Sequence, residues 1–163
     1  MVTWAQGGYG LPKDGGKGVE MTARSLDEAI QESHAALGAI SNGDVEPYMA
    51  LYSDGDDVTL GNPFGPFVRG KEAVRAAGER AASRYRDGQV VAFERVATHV
   101  AGGLACVAEV ERFRAKVGGS DSPASIGLRV TSVYREEDGI WRLVHRHADP
   151  ITMPQAAESV LGD

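Results

Sequence analysis

Sixteen residues near the end of the chain, GIWRLVHRHADPITMP at 139–154, gather two histidines, two arginines, an aspartate and a tryptophan. The run otherwise reads as a β-strand, in which side chains alternate between two faces. Strict alternation puts Trp141, Leu143, His145, His147 and Asp149 on one face, and Ile140, Arg142, Val144, Arg146 and Ala148 on the other. The first stripe spells His-x-His-x-Asp. Two histidines at i and i+2 can ligate one metal ion, with the carboxylate as third ligand. An imidazole that titrates near pH 6.5, about where neutral-pH proton transfer needs it, can equally act as acid or base with Asp149 to orient it. The same histidines can also be hydrogen-bonded structural groups in the hairpin or at an interface. No further His or Cys cluster completes a metal site, so no metal is expected, and His147, His145 and Asp149 stand as the candidates for catalysis.

On the second stripe, the guanidinium of Arg146 needs an anion wherever it is kept from water. Glu109 and Glu111 on a neighbouring strand can supply one, giving a structural ion-pair network; a carboxylate- or enolate-bearing ligand can supply one instead. Arg129 and Thr131, with matching alternation one strand earlier, are grouped with Arg146 as ligand-binding candidates. Plainer readings suit the other polar residues. His34 and His99 stand alone. Cys106, the single cysteine, sits in LACVAEV as a small hydrophobe, which excludes an intrachain disulfide and a multi-cysteine zinc site. Arg80, Arg84 and Arg86 end a helical stretch as a solvated face that the helix dipole favours.

These side chains need elements to position them. Ser25-Leu-Asp-Glu28 has capping-box spacing, and Leu26, Ile30, Ser33, Leu37 and Ile40 recur at threes and fours, predicting a helix that Asn42-Gly43 closes. Asp44 can cap a shorter second helix with Pro47 in its first turn and Val45, Tyr48, Met49 and Tyr52 buried. A brief strand at 57–61 leads into NPFGPFVRG, broken by Pro63, Gly65 and Pro66 before Phe67 and Val68 resume an extended run. A third helix is predicted over 71–86, with a narrow stripe of Ala73, Val74, Ala77 and Ala81. Long strands at 89–100, 104–116, 126–135 and 140–149 follow. Ala101-Gly102-Gly103 and Asp138-Gly139 supply tight reversals between antiparallel neighbours, and 117–125 forms a loop. The result is an α+β domain, a curved antiparallel sheet packed on three helices.

At 163 residues the chain has the length of one domain. Residues 1–20, with six glycines and no periodicity, read as a flexible leader, 21–153 as the folded domain and 154–163 as a tail. A net charge of −6 disfavours nucleic acid, whose affinity rests on clustered Lys and Arg. No apolar run approaches the roughly 18 residues that cross a bilayer, so no membrane partner and a cytoplasmic location are expected.

The order helix, helix, short hairpin, helix, four long strands resembles the nuclear transport factor 2-like superfamily. LRVTSVYREEDGIWRLVHRHADP resembles the terminal hairpin of its SnoaL-like and ketosteroid-isomerase-like members, and also that of the calcium/calmodulin-dependent kinase association domain. The resemblance spans roughly residues 22–152 and implies a cone in which the helices close over the concave face of the sheet to leave an apolar pocket. It implies that Arg146 faces this pocket, that Tyr48, Tyr52, Phe64 and Phe67 line its apolar part, that Asn62 sits at its mouth, and that the convex face forms a homodimer. The isomerase's own catalytic groups have no counterparts: Asn62, before Pro63, stands where the basic carboxylate belongs, Ala36 near the tyrosine and Thr131 near the second aspartate. The implied function is a cofactor-free protein that binds a small hydrophobic, oxygenated or acidic ligand and isomerises, cyclises or dehydrates it. The alternative is a non-catalytic ligand-binding or oligomerisation module, because fold alone does not fix activity.

Overall fold

The computed structural model describes residues 24–161; the expected leader at 1–20 lies outside them. Among these residues no helix is long and apolar enough to cross a membrane. The helical layer begins at the capping box, where the Glu28 amide donates to the Ser25 hydroxyl at 3.2 Å and the Ser25 amide donates to the Glu28 carboxylate at 2.8 Å. That satisfies two amides which a helix start leaves free. Helix α1 then runs Leu26–Ile40, burying Ala29, Ile30, Ala36 and Leu37, and the chain turns off where Gly43 takes a φ of 91°. Helix α2, Glu46–Met49, is one turn, started by the Glu46 amide donating to Asp44 at 3.0 Å. Tyr48 and Met49 face inward from it.

Strands β1 (Thr59–Gly61) and β2 (Val68–Arg69) form a small hairpin ahead of helix α3 (Lys71–Ala82). The third helix stops four residues short of the expected Arg86. Tyr85, buried against Phe113, already belongs to β3 (Tyr85–Ala101), because its ring is drawn under the helices while Arg86 pairs beside Lys116 in the ladder. β4 (Leu104–Val117), β5 (Ala124–Glu137) and β6 (Ile140–Asp149) complete a meander. Two-residue turns join β3 to β4 and β5 to β6. Both central residues have positive φ in each, Gly102 and Gly103 at 56° and 78°, Asp138 and Gly139 at 52° and 79°, as a type I′ turn requires.

The sheet order is β2-β1-β6-β5-β4-β3. The four long strands are antiparallel as expected, but β1 runs parallel to β6, with Leu60 opposite Arg146, so the sheet is mixed. The meander leaves β6 with a free edge, and the short hairpin between α2 and α3 closes it.

One irregularity redistributes the side chains of β6. Val133 pairs with His145 while Tyr134 pairs with Leu143, so Val144 is an extra, bulged residue. Residues 51–53 clamp the strand there: the Leu143 amide donates to the Leu51 carbonyl, and the Ser53 amide donates to the Leu143 carbonyl, both at 2.9 Å. The bulge overturns the strict alternation expected across 140–149. Trp141 and Leu143 join Arg146 and Ala148 beneath the helices, with Leu143 fully buried and Trp141 packed against the same core. His145, His147 and Asp149 remain together on the opposite, open face.

Candidate functional site

Three elements and the sheet enclose a pocket of about 50 Å³, lined by apolar side chains of α1, α3 and the sheet together with Tyr48, Asn62, Phe64, Tyr85 and Arg146. At roughly 10–15 Å³ per water it has room for a few waters. Its polar floor is Arg146, 8% exposed. The guanidinium donates through Nη1 and Nη2 to both oxygens of Glu111 at 2.7 and 2.8 Å, and lies 5.6 Å over the Tyr48 ring. Burial alone would depress the Arg146 guanidinium, but the Glu111 carboxylate more than offsets this and holds it well above its ordinary value. Two of five N–H groups are engaged by that carboxylate, which leaves the others for uncharged acceptors. Burial raises the Tyr48 hydroxyl well above its usual range and pushes Tyr85 up to about 12. Both therefore stay protonated near neutrality and act as donors. Behind them Tyr52 is 1% exposed, and its hydroxyl has no hydrogen-bond partner among the described residues.

Asn62 is held at both ends of its amide: Nδ2 donates to the Ala77 carbonyl at 3.3 Å and Oδ1 accepts from the Phe64 amide at 2.9 Å. It thereby ties the Pro-Phe-Gly-Pro turn to α3 and sets the Phe64 ring 5.6 Å from Tyr85, with Arg84 5.1 Å above it.

Beside the pocket, on the same face of the sheet, lies a group that sequence reasoning missed. His34, expected to be isolated, stacks on Phe93 with ring centroids 3.7 Å apart and meets the buried Glu109 carboxylate at 3.1 Å; Arg95 donates to Glu109 at 3.2 Å. The signal was present, since His34 lies one turn before buried Leu37 and Glu109 alternates in phase with Val107 and Glu111. Burial alone would raise the Glu109 carboxyl, but His34 and Arg95 together outweigh it and hold it below its ordinary value.

The remaining candidates lie on the far face of the sheet. Arg129 pairs across from Asp149 and Thr131 from His147, whereas Arg146 pairs with Ser132. Arg129 and Thr131 thus fall on the histidine face and not, as expected, beside Arg146. There Arg129 donates to Asp149 at 2.8 Å, His147 stands 3.9 Å from the same carboxylate, and His145 meets the Thr59 hydroxyl at 2.7 Å. Phe67 was expected in the pocket, but it covers both imidazoles instead, with centroids at 6.0 and 5.1 Å, and is 62% exposed. Gly61 permits this approach, since a Cβ there would come within 2.5 Å of the Phe67 ring. Burial, then the neighbouring His147, lower the His145 imidazole below its ordinary value. Among the described residues no group of three or more His, Cys, Asp or Glu is placed to hold a metal ion. The candidates therefore fall into two groups: Arg146, Asn62, Tyr48 and Phe64 at the pocket with Tyr52 behind it, and His145, His147, Asp149, Arg129, Thr131 and Phe67 on the open face.

Residues 28–153 match the family model of the SnoaL-like domain. Among solved structures the fold is shared by a protein of Thiobacillus denitrificans provisionally described as a calcium/calmodulin-dependent protein kinase type II association domain, at 22% identity and a TM-score of 0.63 over 78% of this chain and 96% of that one. It is shared too by a protein of Streptomyces avermitilis provisionally described as a dehydratase of the NTF2-like family, at 21% identity and 0.63 over 77% and 96%. A ketosteroid isomerase-like protein of Erwinia carotovora atroseptica aligns at 18% identity and 0.64 over 78% and 97%. No curated protein matches the chain.

A carboxylate held below its ordinary value stabilises the fold fully above its unfolded value, about 4.3, and that contribution fades as pH falls through the lower folded value. The free energy of unfolding by urea is expected to fall between about pH 5 and pH 3, and Glu109→Gln is expected to flatten the decline. A pH dependence identical in the variant would contradict the role given to Glu109.

Proposed function

The chain belongs to the SnoaL-like family, and we propose that it binds a small, largely apolar, oxygenated molecule beneath the helices and isomerises, cyclises or dehydrates it without a cofactor. The observation that carries this reading is an apolar pocket lined by three donors, Tyr48, Tyr85 and Arg146, while the fourth polar group, Asn62, has its amide engaged by Ala77 and Phe64. Donors fixed in a dry site stabilise negative charge where it develops on a substrate oxygen, as in enolisation, and they need little reorganisation to do so. The provisional dehydratase and the isomerase-like protein that share the fold fit the same reaction class. A second reading, binding without turnover, is favoured by one feature: among the described residues lining the pocket there is no carboxylate or imidazole to accept a proton.

The histidine face suits a different task. Ala108, Val110, Thr131 and Val133 alternate outward there, only partly exposed, with Phe67 standing proud at the edge. An antiparallel sheet that faces water carries polar side chains on that side, and a contiguous apolar patch marks an interface. Two copies packed sheet to sheet, in the cytoplasm, complete the proposal.

Tyr48→Phe and Tyr85→Phe are each expected to weaken binding of a small aromatic ketone about 5- to 10-fold, the loss of one hydrogen bond, with the far-UV circular dichroism unchanged. Wild-type affinity in both variants would remove the basis for the reading. Light scattering at micromolar concentration is expected to give the mass of two chains; the mass of one would exclude the dimer.

A further inference from the structure

The proposed pocket has a second chamber outside it. A hollow of about 100 Å³, bounded by Val68, Ala77, Arg80 and Arg84, shares Asn62, Phe64 and Ala81 with the inner pocket, so Phe64 stands as the partition between the two. The inner pocket alone is too small for a ring; with Phe64 turned aside, the joined volumes approach the ~150 Å³ that takes up benzene in a protein interior. The chambers differ in charge. Inside, Arg146 is neutralised by Glu111 through two hydrogen bonds, so a carboxylate placed there would be a second buried anion with no cation left for it. Outside, Arg80 and Arg84 are exposed, neither forms an ion pair among the described residues, and no acidic side chain lines the hollow. Arg80 lies in the last turn of α3 and Arg84 just beyond its Ser83 cap, and both line the same mouth.

Resting on the reading of the inner pocket as a ligand site, we infer that its ligand is a small ring compound with a neutral carbonyl at one end and an acidic group at the other. The carbonyl enters to meet Tyr48, Tyr85 and the free N–H groups of Arg146. The acid stays at the mouth with Arg80 and Arg84, and the ring takes the place of Phe64. Glu111 is then a specificity-determining residue: by neutralising Arg146 it fixes which end goes in.

The test is calorimetric titration of the full chain with three probes, 4-acetylbenzoate, 4-methylacetophenone and terephthalate. Wild type is expected to bind 4-acetylbenzoate about 3- to 5-fold more tightly than 4-methylacetophenone, an advantage that shrinks as salt rises. Terephthalate, which must bury a carboxylate, is expected to bind at least about 10-fold more weakly than 4-acetylbenzoate. In the double variant Arg80→Gln/Arg84→Gln the affinity ratio of acetylbenzoate to methylacetophenone is expected to fall to about one. Glu111→Gln is expected to narrow the gap between terephthalate and acetylbenzoate. Terephthalate binding as well as acetylbenzoate to wild type, or a ratio that survives loss of both arginines, would overturn the inference while leaving the pocket intact. Failure of all three probes to bind would overturn the pocket itself.

Discussion

Arg146 carries a permanent charge into a position 8% exposed, and Glu111, 4% exposed, answers it with both carboxylate oxygens. Bringing two charges out of water costs several kcal/mol each, roughly offset only when the geometry is good and the remaining hydrogen bonds are made; removing one partner alone costs ~3–5 kcal/mol. The pair therefore constrains its surroundings more than it stabilises them. Glu111 must sit opposite Leu128 on β4, and Arg146 opposite Ser132 on β6, with β5 between them in a register that points both inward. A slip of one residue at either ladder would send one charge to the open face and strand the other.

That register decides which chemistry is available to which face. Beneath the helices, the inward residues present donors and a neutralised ion pair, with a second buried carboxylate, Glu109, tied to His34 and Arg95. On the open face, the histidines, Asp149 and Arg129 engage one another beside Phe67. Arg146 and the histidines that flank it directly in the sequence are thus separated by the thickness of a sheet, and a strand so rich in reactive types serves two surfaces.

The sequence made the elements legible because their signals are local. The capping box, the I′ turn residues and the bounds of β6 lie within a few residues of what they specify. The separation of Arg146 from the histidines was legible from alternation, but the passage of Trp141 and Leu143 to the helix side was not, because it depends on one bulge. Nothing in Trp-Arg-Leu-Val-His marks Val144 as the extra residue; the clamp that places it comes from Leu51 and Ser53, some ninety residues away. For the same reason Arg129 and Thr131 were grouped with the wrong neighbour, since pairing register across β5 and β6 is set by the whole ladder. Phe67 was misplaced because a turn with two prolines reads as a pocket mouth, while its ring in fact crosses Gly61 to reach the histidines. The partner of Arg146 was legible: Glu111 was available as an internal anion from alternation alone.

The chemical reading turns on where a ligand's oxygen goes when the guanidinium is already answered. A crystal structure of the chain soaked with acetophenone measures this directly. The expected result is the ketone beneath the helices, its oxygen within hydrogen-bond distance of the Tyr48 or Tyr85 hydroxyl, with Glu111 still holding Arg146 through both oxygens. Density only on the open histidine face, or an Arg146 released from Glu111 to bind the ligand alone, would contradict it.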